Sequence, residues 1–81
     1  METPFLGQIQ LFAFQFAPSG WVECAGQIIQ IVQNSALYSL LGTKYGGNGS
    51  TTFALPNLKG AEPIPGMKYY IALEGLYPTR D

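Results

Sequence analysis

The chain of 81 residues contains no histidine and a single cysteine, and only 11% of its residues are charged. Without an imidazole there can be no Ser-His or Cys-His nucleophile pair, and one thiol leaves too few nitrogen and sulfur ligands for a zinc site. The acids Glu2, Glu23, Glu62, Glu74 and Asp81 stand apart from one another, so no local carboxylate pair points to glycoside hydrolysis. The expectation is a protein with no catalytic residues, no metal and no cofactor.

Charge is short in both signs. Lys44, Lys59, Lys68 and Arg80 are scattered and the formal net charge is −1, which is not the footprint of a protein that neutralises phosphates. No apolar run approaches the ~18 to 20 residues of a membrane-spanning helix. The opening Met1-Glu2-Thr3-Pro4 is not a basic region leading into an apolar one. The sequence therefore predicts no nucleic-acid partner, no membrane span and no Sec-type signal, and it names no export route. Cys24 cannot form an intrachain disulfide; it reads as a small buried hydrophobe, with an interchain disulfide as the alternative.

Apolar residues are plentiful by contrast: 47% of the chain is hydrophobic and 14% aromatic. A chain this short buries only about 60 to 65% of its unfolded surface, and a net stability of about 4 to 12 kcal/mol is expected. Too little polar material remains to cover the outside, so the apolar excess predicts a partner, most simply another copy of the chain.

The stretch from Ser35 to Gly60 organises the rest. Asn34 stands at an N-cap position, Leu37, Leu40 and Leu41 fall at helical spacing, and Gly42 stands at the C-terminal end. A helix over about residues 35–41 is too short to hold itself in water, so its leucine face should plug a core of strands. Gly46, Gly47, Asn48 and Gly49 form a turn-forming loop in which Asn48-Gly49 favours a type I′ turn. No Lys-Ser/Thr pair follows, which speaks against a phosphate cradle. Asn48-Gly49-Ser50 also fits a glycosylation sequon, but the turn explains it without a secretory signal.

Strand candidates lie on both sides. In Gly7–Phe16, Ile9 and Leu11 alternate with glutamines before the apolar phase changes to Phe12, Phe14 and Phe16, a pattern of a bulged strand or one buried on both sides. Trp21–Cys24, Ile28–Val32, Thr51–Leu55 and Met67–Leu73 are further candidates. Residues 60–66, with two prolines, form a stiff linker, and a short tail follows. The fold class expected is α+β, mainly β, with short strands and one helix.

Several runs together resemble the phage tail collar domain of short tail fibres and bacterial microcystin-dependent proteins. They are Phe16-Ala17-Pro18-Ser19-Gly20-Trp21, Cys24-Ala25-Gly26-Gln27, Asn34 to Thr43, Tyr45 to Gly49, Thr51 to Leu58, and Lys59-Gly60. The resemblance spans residues 5–60, and Tyr70 to Arg80 is similar to the C-terminus of the microcystin-dependent group. Between the two, the sizeable variable region of longer relatives is reduced to a linker at 61–66. On this reading residues 1–60 are the collar domain, and 67–81 a strand and tail packed on it. Ala25, Asn48, Asn57 and Ala61 replace more polar or charged residues of many relatives, a change that fits burial better than ligand binding. The histidine-bound metal of the short tail fibres lies outside the collar and cannot be carried over to a chain without histidine.

The resemblance implies a non-enzymatic subunit that associates with copies of itself in an elongated assembly, as a bacterial extracellular filament or a phage tail fibre, alone or with other tail proteins. Strand addition by Phe5–Leu11 or Lys68–Leu73 would complete a neighbour's sheet. The interface residues expected are Phe5, Ile9, Leu11, Phe12, Phe14, Trp21, Tyr69, Tyr70, Ile71 and Tyr77. The alternative is a tail-tip or surface adhesin whose aromatics, including Trp21, Tyr45, Tyr69 and Tyr70, stack on a glycan or another receptor.

Overall fold

The computed structural model describes residues 3–13 and 16–78. In chain order its elements are β1 (Ile9–Phe12), β2 (Trp21–Glu23), β3 (Ile28–Gln30), α1 (Ser35–Leu41), β4 (Thr52–Ala54) and β5 (Lys68–Ala72). They form a three-stranded antiparallel sheet in the order β1-β5-β2 and a two-stranded antiparallel sheet of β3 and β4. The mainly-β architecture with one short helix is the one the sequence predicts.

Pairing explains the faces of the larger sheet. Ile9 lies opposite Ile71 and Leu11 opposite Tyr69, while Val22 lies opposite Ile71 from the other side. Side chains alternate along a strand, so Ile9, Leu11, Val22, Tyr69 and Ile71 share one face. That face meets the core of Leu6, Cys24, Leu37, Phe53, Leu55 and Ile71, which joins both sheets and the helix. Burying each of the larger side chains contributes about 1.5 to 3 kcal/mol. The opposite face carries Phe12, Trp21, Glu23, Lys68, Tyr70 and Ala72. Tyr70 is only 2% exposed there, so β5 is apolar on both sides.

Helix α1 has the predicted bounds, but its ends and face differ in detail. The Asn34 side chain makes no cap bond; its Nδ2 donates to the Gln30 carbonyl instead, at 3.0 Å. Gly42 takes φ 59 and its N–H donates to the Tyr38 carbonyl. Leu37 is buried and Leu41 half-buried, whereas Leu40 remains 37% exposed. A helix laid across a small core presents one side, and Leu40 sits at its margin.

Asn48-Gly49 is not a type I′ turn, because that turn needs a positive φ at both central residues and, among the described residues, only glycines have one. Asn48 instead folds its own carboxamide inward: Oδ1 accepts from the N–H groups of Ser50, Thr51 and Thr52 at 2.7, 2.8 and 3.1 Å. Such side-chain acceptors commonly replace backbone turns. Gly47 lies against β4 so closely that an added Cβ would stand 2.3 Å from the Phe53 Cα. Asn48, Asn57 and Ala61 are exposed rather than buried; Asn57 uses its Oδ1 to accept from the Lys59 N–H at 3.2 Å.

The predicted phenylalanine stripe is also interrupted. Strand β1 ends at Phe12, Ala13 bends, and Phe16 lies beyond the strand with 71% of its surface exposed. Phe14 lies outside the described residues.

Candidate subunit interface

Hydrogen-bond register decides which strand edges another chain could reach. On β5, the Ala72 N–H donates to the Gln8 carbonyl, while the Leu73 N–H donates to Gly20 and the Cys24 N–H to Tyr69. Both edges of β5 are therefore engaged within the chain. This corrects the expectation that Lys68–Leu73 could complete a neighbour's sheet, since a central strand has no backbone groups left to offer. The outer edge of β2 is partly closed as well. Its Trp21 N–H donates to Pro18, and the Glu23 carbonyl accepts from Ala25 and from Gln27 Nε2. On β4, the Ala54 N–H donates to Gly46 and the Thr52 carbonyl accepts from Gly49, so the glycine loop covers that edge.

Strand β1 differs. Because Gln8 and Gln10 face β5, the N–H and C=O groups of Ile9 and Leu11 point away from it. Before β1, Phe5 and Leu76 bridge the N- and C-terminal segments, and both side chains are more than half exposed. The Leu6 N–H donates to Leu76 and the Leu76 N–H to Pro4, which fixes the two segments together. Tyr77 reaches α1 through a 2.6 Å bond between its hydroxyl and Ser39 Oγ. The Ser39 proton is directed at the Ala36 carbonyl, also at 2.6 Å, so the tyrosine is the donor. Phe5, Leu76 and Tyr77 are thus exposed apolar residues on segments held by backbone bonds and one side-chain anchor.

The remaining predicted residues divide between surface and core. Phe12 packs edge-on against Trp21 at 5.3 Å and against Tyr70 at 5.6 Å, with both Phe12 and Trp21 half-buried. On the same face Lys68 Nζ lies 4.0 Å from Glu23 Oε1. Ile9 is 39% exposed at the sheet margin, and Leu11 and Tyr69 are half-buried. Tyr70 and Ile71 are enclosed by their own chain at 2% and 0% exposure. Their side chains have no surface to offer a second copy.

Residues the sequence reading did not select are also exposed: Ile28 at 57%, Val32 at 82% and Leu76 at 56%. Each lies in or beside an apolar run, a signal equally compatible with a core strand. Only the pairing separates the two cases.

Burial pushes the Cys24 thiol up to about 11, with the Glu23 carboxylate adding to the effect, and the residue is 1% exposed. A neutral enclosed thiol is a poor nucleophile, which opposes an interchain disulfide at this position. The Tyr70 hydroxyl is raised for the same two reasons, burial first. Most amides of the glycine loop are engaged internally, at Gly46, Asn48, Gly49, Ser50, Thr51 and Thr52, so they do not converge on an outside anion. Among the described residues no cluster of three His, Cys, Asp or Glu could hold a metal ion, and no helix is long and apolar enough to cross a membrane.

Comparison with curated proteins and with solved structures gives no match. The family model of the phage tail collar domain matches residues 7–63, which include β1 to β4, the helix and the glycine loop. The chain belongs to the phage tail collar domain family, a structural family of phage tail fibres.

Proposed function

We infer that this protein is a self-associating structural subunit that polymerises into a fibre, in a phage tail or as an extracellular filament of the microcystin-dependent type. The observation that carries the reading is the uncharged outer edge of β1, whose Ile9 and Leu11 backbone groups face outward; Phe5, Leu76 and Tyr77 are exposed as well. Natural sheets usually protect such edges with lysine, proline or a bulge, and β1 reads Ile-Gln-Leu-Phe. Strand addition satisfies the backbone groups, and covering exposed apolar side chains supplies most of the association energy. Its partners are copies of itself, with other tail proteins at the ends of the fibre. The expected result is regular fibres by negative-stain electron microscopy of the protein expressed alone. Isolated monomers at micromolar concentration would overturn it.

A second reading, a glycan-binding module, is favoured by one depression of about 280 Å³ lined by Trp21, Ser19 and Glu74 among others. An indole offers an apolar face to a sugar ring, and a carboxylate accepts from its hydroxyls. Tyr70, expected to share this role, is enclosed. A glycan array without signal above background removes this reading.

A further inference from the structure

We propose that the acceptor of the β1 edge is the outer edge of β3 on a second copy of this chain, which makes the subunit contact head-to-tail. The inference rests on the self-association reading and names the other half of its contact.

The Leu55 N–H donates to the Gln27 carbonyl and the Ile31 N–H to Thr51. With Ile29 opposite Phe53, these bonds turn the backbone of residues 27, 29 and 31 toward β4. The N–H and C=O of Ile28 and the N–H of Gln30 therefore point outward, the Gln30 carbonyl being engaged by Asn34 Nδ2. Among the described strands, β1 and β3 leave the most outward backbone groups to a partner. Of the others, β5 is central, β4 is covered by the glycine loop, and β2 has two outward groups bonded, the Trp21 N–H and the Glu23 carbonyl, against one in β3.

Three features fit β1 of a second copy to this edge. The β3–β4 sheet has two strands, and a two-stranded sheet gains most from a third. Neither Ile-Gln-Leu-Phe nor Ile-Ile-Gln carries a charge, so no repulsion or ammonium desolvation opposes the pairing. At the end of β3, Gln30, Ile31, Val32, Ser50, Thr51 and Thr52 line a groove of about 390 Å³, and Val32 is 82% exposed at its wall. Strand addition uses such a neighbouring depression to take a side chain of the incoming strand, and β1 brings Ile9, 39% exposed at the sheet margin.

Pairing β1 with β3 joins two different surfaces. Each subunit keeps one donor and one acceptor free, so the chain grows without closing unless its rotation makes a ring. Pairing β1 with β1, or β3 with β3, would be isologous and stop at a dimer.

A mixing experiment tests this directly. Ile9→Pro removes an outward N–H of β1, and Ile28→Pro does the same on β3; neither N–H serves the internal ladder. Ile9→Lys and Ile28→Lys place a charge on each edge while keeping the backbone intact, and serve where a proline variant fails to fold by circular dichroism. Each variant alone should be monomeric by light scattering, and an equimolar mixture should give heterodimers that do not extend. Growth of the β3 variant by itself, or a mixture that stays monomeric, would overturn the β1–β3 contact while wild-type fibres persist. A monomeric wild type would instead overturn the self-association reading.

Discussion

The glycine loop and the outer edge of β1 are both short, irregularly flanked and uncharged, yet they use their backbone groups in opposite ways. Between Thr43 and Thr52 nearly every amide that could face outward is turned back, onto Asn48 Oδ1, Thr52 Oγ1 or a neighbouring carbonyl. Tyr38 closes this region from the helix, packing on Phe53 at 5.3 Å and donating to the Gly49 carbonyl at 3.3 Å. Along β1, Ile9 and Leu11 turn their backbone groups outward, and the Ile9 side chain is 39% exposed. The most recognisable part of the sequence is thus internal scaffolding. The part available to a partner has an ordinary composition.

The strongest way to break the closed region is Gly47→Ala. The added carbon would stand 2.3 Å from the Phe53 Cα and 2.7 Å from the Thr52 carbonyl oxygen. Backbone atoms cannot step aside, and a loss of about 3 kcal/mol is expected in urea unfolding, a large share of this chain's stability.

Alkaline pH probes the closed core next. The folded Cys24 thiol ionises near 11 against an ordinary value of 9.0. Above pH 9 the unfolded chain gives up this proton first, so the stabilisation is complete below about 9 and is lost as pH rises toward 11. The loss should reach about 2 kcal/mol, and Tyr70, shifted in the same direction, adds to it at higher pH. Unfolding midpoints measured across this window should fall, and fall less steeply in Cys24→Ala.

Asn48→Ala removes the acceptor of three amides in an exposed loop and should cost about 1 to 2 kcal/mol. Asn48→Asp retains an acceptor oxygen and should stay within about 0.5 kcal/mol of wild type by the same measurement. Gly60→Ala is the mild counterpart of Gly47→Ala. No atom lies within 4 Å of the added carbon, so only its φ of +87 matters, at about 1 kcal/mol.

What was legible in the sequence follows this division. The helix could be bounded because Asn34, the leucine spacing and Gly42 are local signals, even though Asn34 bonds to Gln30 rather than capping the first turn. The Asn48-Gly49 pair announced a turn but not its type, since the deciding contacts run to Ser50, Thr51 and Thr52. Phe12, Phe14 and Phe16 suggested one continuous stripe because composition does not mark where β1 ends. Tyr70 and Ile71 were placed at an interface because apolar strands read alike in a core and on a surface. Long-range pairing alone put β5 between β1 and β2 and left Ile28 on an open edge.

The open edges of β1 and β3 are inferred to join copies of this chain. Negative-stain electron microscopy of the wild-type protein, with light scattering on the same sample through the micromolar range, tests this most directly. Regular fibres whose mass grows with concentration are the expected result. A monodisperse monomer throughout that range would contradict the inference.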